Sequence, residues 1–238
     1  ESVLRAAATA QEATLAVAPT DFGVTAQHLA VGGQQLSVRG LAGTYDDLYL
    51  PLYGAHQGQN AALAIAAVES LIGGGTQPLA ADVLTEGLAE VTSPGRLQLV
   101  GVAPTVLADS AHNPHGARAL AQALRTSFDF DEWGVVLGVL GDKDADGILA
   151  ALAPVATHVF ATGPDSERAA DPDTLADLVE AAGLPVTVHP GLADAADAAR
   201  EWASSSERRA VIIAGSVVLA GEAVTLAESE DWKSGWGR

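Results

Sequence analysis

The chain has 238 residues and a formal charge of −18, from 12 Lys and Arg against 30 Asp and Glu. A surface that acidic repels nucleic-acid phosphate and anionic lipid, which argues against a nucleic acid or a membrane as partner. Cys is absent, which removes disulfides, thiolate metal sites and a Cys nucleophile and fits a cytoplasmic setting.

Hydrophobic residues make up 48% of the chain and charged residues 18%, enough to build a sizeable core. No apolar run reaches the roughly 18–20 residues needed to span a bilayer. The opening Glu1-Ser2-Val3-Leu4-Arg5 lacks the basic and apolar regions of a secretory signal. Met is also absent and the first residues read as helix; both are taken as signs of a piece of a longer protein.

In chain order, residues 2–13 read as an Ala-rich helix, 15–18 as a strand and 19–21 as a turn. Residues 23–31 and 35–39 bracket Gly32-Gly33 as a hairpin, and 49–52 add a further strand. Leu63, Ile65, Ala66 and Leu71 set a helical period over 57–71, which stops at Gly73-Gly74-Gly75; a helix over 80–91 follows. Thr92-Ser93-Pro94-Gly95-Arg96 is the expected domain boundary. Beyond it, apolar runs at 97–102, 105–108, 134–140, 158–162, 186–189 and 210–214 alternate with helical patterns at 114–126, 144–153, 172–182, 192–204 and 216–227. That alternation predicts an α/β fold, a mostly parallel sheet with helices on both faces. Residues 229–238 read as a loose tail in which Trp232 and Trp236 can dock.

Ligands of open α/β sheets bind beyond the carboxyl ends of the strands, and three such ends are unusual here. Asp109-Ser110-Ala111-His112-Asn113-Pro114 joins a strand to a helix with Asn113 as cap and Pro114 at its first position. Asp109 there can bind a ribose hydroxyl or a cation, and His112 a carboxylate or phosphoryl group. Ser216, after Gly215, opens the last helix. In Gly141-Asp142-Lys143-Asp144 a cation sits at a helix start, where the dipole disfavours it, so Lys143 is expected to make a charge contact across a cleft. Upstream, Arg96 lies on a Pro-Gly turn, suited to clamp phosphates. Gly54-Ala55-His56-Gln57-Gly58-Gln59-Asn60 gathers amides that can read an adenine edge. Each stretch has an equally plain reading as a capped helix start or a linker cation, and spacing alone leaves both open. His28, His115, His158 and His189 are scattered without metal spacing, and no P-loop, Gly-x-Ser-x-Gly or His-Glu-x-x-His is present.

Taken in order, Gly54-x-His56-Gln57-x-x-Asn60-Ala61, Ser93-Pro94-Gly95-Arg96, Asp109-x-Ala111-His112-Asn113-Pro114, Gly141-Asp142-Lys143-Asp144 and Gly215-Ser216 resemble the folylpolyglutamate synthases and bifunctional dihydrofolate synthases of the Mur ligase superfamily, over residues 21–226. The resemblance implies that residues 1–92 are the C-terminal part of a central α/β ATP-binding domain, 93–96 a linker, and 97–238 a Rossmann-like glutamate ligase domain. It implies ATP between the two domains, touched by Asn60, Arg96 and Asp109. Glutamate binding falls to His112 and Ser216, and the catalytic step to His112. His56, Gln57, Asn113 and Lys143 are secondary candidates. The implied substrates are ATP, L-glutamate and folate or dihydropteroate. The implied reaction phosphorylates the acceptor's terminal carboxylate and lets the glutamate amine displace the phosphate. The P-loop, the modified lysine and the Mg²⁺ ligands would lie upstream, in an N-terminal domain of the same polypeptide, so this chain alone is expected to be inactive. Gly141 stands where the family often has Met or Ala. The competing readings are another Mur-type amino-acid ligase, since Asp109 to Pro114 is shared in outline, and a non-catalytic nucleotide- or amino-acid-binding module.

Overall fold

The computed structural model describes residues 2–234, and the chain forms two units, Glu1–Thr92 and Ser93–Arg238. The first holds α1 (Ser2–Ala10), the strands β1 (Gly23–Ala30), β2 (Gly33–Arg39) and β3 (Thr44–Leu50), then α2 (Ala55–Gly73) and α3 (Ala81–Ala89). The strands form an antiparallel sheet in the order β1-β2-β3. Gly32, at φ 78°, takes the positive-φ position of the β1–β2 turn. Leu36, Val38, Tyr45, Leu48 and Leu50 of the sheet pack with Ala62, Ile65 and Ala66 of α2 and Leu88 of α3. α2 stops where Gly74 adopts the left-handed conformation, as the glycine run foretold.

Two expectations for this unit fail. Residues 15–18 are not a strand: Val17 N–H donates to the Asp21 carboxylate and Asp21 N–H returns to the Val17 carbonyl, closing a turn. The strand expected over 49–52 runs instead from Thr44 to Leu50. A bulge hides it, because Leu36 pairs with Leu48 while Val38 pairs with Tyr45, so two inward residues lie three apart and break the alternation.

The second unit runs β4 (Gln98–Val102), β5 (Thr105–Ala108), α4 (Pro114–Ser127), β6 (Glu132–Leu137), α5 (Ala145–Leu152), β7 (Ala156–Ala161), α6 (Pro172–Ala181), β8 (Val186–Val188), α7 (Leu192–Ser204), β9 (Arg209–Ala214) and α8 (Val217–Ser229). The sheet order is β4-β5-β9-β6-β7-β8, with β4 antiparallel to β5 and every other pairing parallel. Val106, Ala108, Val136, Phe160, Val211 and Ile213 face α7 and α8, meeting Ala195, Ala199, Leu219 and Ala223. The intervening Leu107, Val135, Leu137 and Ile212 are as fully buried and by strand alternation turn to the other face, where α4 packs on α5 and α5 on α6. Burial on both faces explains the unbroken apolar runs.

β6 ends at Leu137 rather than at residue 140, because Val139 and Leu140 pair instead with the segment around Ala169 and Ala170. The tail docks through Trp232, which is buried against the α7 and α8 cluster. Its indole N–H donates to Glu230, and the Arg200 guanidinium lies 4.4 Å from its ring centroid. Trp236 falls outside the described residues.

Candidate active site

The helix after β9 packs on the opposite face from those after β5 and β6, so the carboxyl ends of these three neighbours frame a crevice at a topological switch point. Backbone bonds knit the strand ends one residue beyond the ladder: Asp109 N–H to the Ile213 carbonyl at 2.9 Å, Gly215 N–H to Ala111 at 3.0 Å and Gly138 N–H to Ala214 at 3.2 Å. Gly215 sits at φ 109°, and a Cβ there would stand 2.6 Å from the Gly138 carbonyl oxygen, so a side chain is excluded twice over.

Residues 93–96, expected as a linker, are bonded into the second unit. Arg96 N–H donates to the Ser93 carbonyl across Pro94-Gly95, with Gly95 at φ 66°, which is a type II turn. Ser110 N–H donates to the Gly95 carbonyl at 2.7 Å, and Gly95 N–H to the Gln98 side chain at 2.8 Å. The next residue, Leu97, is buried at φ 45°, a costly conformation for a side chain with a Cβ. Asp109 holds it there. One carboxylate oxygen takes the Leu97 N–H at 2.9 Å and the other the Ala111 N–H at 2.8 Å. Burial pushes the Asp109 carboxyl above its ordinary range, while the two N–H groups and the Arg96 charge pull it back. Arg96 itself is exposed.

His112, half-buried, follows on the same loop. Its Nδ1 lies 2.9 Å from the Ser110 carbonyl oxygen. A carbonyl only accepts, so Nδ1 carries the proton in this contact and Nε2 is the ring's remaining nitrogen. Asn113 caps α4 by accepting the Gly116 N–H at 2.9 Å, and Ser216 caps α8 by accepting the Val218 N–H at 3.1 Å. Ser216 is only 1% exposed.

The structure therefore brings Arg96, Asp109, His112, Asn113 and Ser216 to one set of strand ends. Lys143 does not make the contact expected of it. α5 begins at Ala145 behind the cap Asp144, and Lys143 pairs with its own neighbour Asp142 at 3.2 Å, which Arg168 also meets at 2.8 Å. In the first unit, Gln57 is buried and Asn60 exposed on the first turns of α2, with the Asn60 amide donating to Gln57 Oε1 at 3.1 Å; His56 is half-buried. Sequence reasoning missed Ser110, whose Oγ would lie 2.6 Å from any Cβ at Gly95, and Gln34, whose amide donates to the Gly54 carbonyl ahead of α2. Gln98, a polar residue opening an apolar strand, was a readable signal. Nothing in the sequence marked Leu97.

The family described as Mur ligase, glutamate ligase domain, matches residues 95–217. A Mycobacterium tuberculosis dihydrofolate synthase/folylpolyglutamate synthase is 46% identical over 94% of this chain and 49% of its own length, so the chain spans about half of that relative. The structure of the M. tuberculosis folylpolyglutamate synthase complexed with ADP superposes with a TM-score of 0.91 at 46% identity, over 95% of this chain and 52% of that one. The Escherichia coli FolC in complex with DHPP and ADP gives a TM-score of 0.77 at 26% identity, over 94% and 50%. The match spans more than half of the chain and contains the strand ends that carry Arg96, Asp109, His112 and Ser216, so the chain belongs to the Mur ligase family through its glutamate ligase domain.

Proposed function

We propose that this chain is the C-terminal portion of an ATP-dependent ligase that joins L-glutamate to the terminal carboxylate of a folate, with dihydropteroate as a second acceptor for the same chemistry. The observation that carries the reading is His112, held with Nδ1–H on the Ser110 carbonyl at the mouth of a capped helix, within a domain of glutamate ligase type. The names of the M. tuberculosis and E. coli relatives supply the acceptor class and the nucleotide.

In this reading Arg96, exposed beside Asp109, grips nucleotide phosphates, and Asn60 on α2 reads the adenine. The acceptor arrives as an acyl phosphate. Nε2 of His112 takes a proton from the glutamate ammonium, the freed amine attacks the acyl carbon, the C–N bond forms, the C–O bond to phosphate breaks and the phosphate departs with the second amine proton. The N-terminus of α4 favours the negative charge that gathers there, and Ser216 fixes the start of α8 on the other side of the crevice. Mg²⁺ would neutralise phosphate charge. Among the described residues no group of three or more His, Cys, Asp or Glu is arranged to hold a metal ion, and the reading assigns its ligands, with the P-loop, to the upstream domain of the same polypeptide.

The test is ADP release by the gene-length protein with Mg-ATP, L-glutamate and a reduced folate, with His112→Ala as control. ADP should appear only with folate and fall by about 100-fold or more in the variant. No folate-dependent ADP, with turnover of a peptidoglycan-type acceptor instead, would transfer the chain to another Mur ligase. The 238-residue chain alone should release none; folate-dependent release by it would overturn the division of labour.

A further inference from the structure

Arg118 and Arg125 are exposed on α4 and line, with Gln122, one wall of a groove of about 500 Å³. The opposite wall is Gly147, Ala150 and Ala151 of α5, with Pro154 beyond. Positions 118, 122 and 125 share one helix face. In a chain of charge −18 cations are scarce, and Lys143, Arg168, Arg200, Arg208 and Arg209 all meet carboxylates. Among the described residues, the side chains of Arg118 and Arg125 have no ion pair or hydrogen bond, though acids outnumber cations more than twofold. At its Gly147 end the groove adjoins the loop that carries His112. Pro114, two residues after His112, touches α5 so closely that a Cβ on Gly147 would lie 2.6 Å from its ring.

We propose that this groove is a subsite for the oligo-γ-glutamyl tail of the acceptor or product, with Arg118 and Arg125 pairing to α-carboxylates of the tail. The inference rests on the ligase reading above and names a substrate feature that reading leaves open. Seven helical residues separate the two guanidinium stems by roughly 10 Å. A γ-linked glutamate has five backbone bonds where an α-linked residue has three, so it extends roughly 6 Å against 3.3–3.6 Å; carboxylates two residues apart fit the pair. The Ala and Pro wall suits the methylenes of the γ-linkage, and a guanidinium fork suits a carboxylate. An acidic domain that handles a lengthening polyanion needs such a cationic track beyond its reaction centre.

The experiment titrates fluorescein-labelled tetra-γ-glutamate into the 238-residue chain and follows anisotropy, with the Arg118→Gln/Arg125→Gln variant beside it and thermal melts to verify its fold. Wild type should bind, more weakly as salt rises, and the variant should bind about tenfold more weakly. In the gene-length enzyme the same variant should raise KM for triglutamyl folate and leave monoglutamyl folate unchanged. No binding by wild type, or equal binding by the folded variant, overturns the tail subsite; if monoglutamyl folate is still turned over, the ligase reading survives that failure. Absence of any folate turnover overturns both.

Discussion

Asp109→Asn tests whether the carboxylate at the end of β5 serves the fold as well as the site. Both of its oxygens accept a backbone N–H, from Leu97 at 2.9 Å and Ala111 at 2.8 Å, in a position 6% exposed. Asparagine keeps one acceptor and points a donor at the other N–H. A buried unpaired donor costs roughly 1–3 kcal/mol, and the partner most exposed to the loss is Leu97, held at φ 45°. Removing a charge that burial disfavours offsets part of this, so the net expectation is about 1–2 kcal/mol, or a melting temperature lower by roughly 2–8 °C. The pH dependence has a definite sign. Asp109 holds its proton in the native state above its ordinary value of 3.8, so its contribution is fully present below that value and is lost as pH rises through the native one. The Asn variant has no such proton, so the stability gap between wild type and variant should narrow as pH rises from 3.8. Thermal or urea denaturation at several pH values measures both quantities. A variant as stable as wild type, or a gap that widens with pH, refutes the assignment.

Gly215→Ala should be more severe, by about 2–4 kcal/mol, because the new methyl meets the Gly138 carbonyl oxygen at 2.6 Å from a backbone already at φ 109°; urea denaturation at wild-type midpoint would contradict that geometry. In the first unit, the fully buried Glu69 accepts from the Leu41 and Ala42 N–H groups and the Tyr45 hydroxyl, which itself accepts the Leu79 N–H at 2.7 Å. Tyr45→Phe should cost roughly 1–3 kcal/mol. A double-mutant cycle with Glu69→Gln should show coupling above about 0.5 kcal/mol, and strictly additive losses would dissolve the network.

The second unit was the legible one. Its strands are buried on both faces and its helices on one, so the periods in the sequence are clean and the runs at 105–108, 192–204 and 210–214 fall almost on the observed elements. The first unit was less so, because the register of β3 on β2 shifts at a bulge opposite Ser37 and residues 15–18 are held in a turn closed by Asp21, neither of which leaves a periodic trace. At the site, residue types that cap helices announced themselves: Asn113 and Ser216 do cap. Leu97 carries no such mark, since its strained backbone is imposed by a carboxylate twelve residues later. Lys143 was misplaced for a related reason. Its helix starts at Ala145, one residue later than expected and behind the cap Asp144, which leaves Lys143 beside Asp142 in the preceding loop.

The structural and chemical readings of the motif residues are therefore not rivals, and the spent hydrogen-bonding capacity of each group says which reading dominates where. Asn113 Oδ1 is taken by Gly116, Ser216 Oγ already accepts from Val218, and both oxygens of Asp109 are taken by backbone. What remains, besides the Ser216 hydroxyl proton and the Asn113 amide N–H groups, is Nε2 of the half-buried His112 and the exposed guanidinium of Arg96, one a proton acceptor and the other a fixed cation. In the proposed ligase reaction those are the two functions asked of this side: a group to free the amine and a charge to hold the phosphates. Substitutions at Asp109, Gly215 and Asn113 should then be read first in stability and those at His112 and Arg96 first in kinetics. That division follows from which atoms are already bonded.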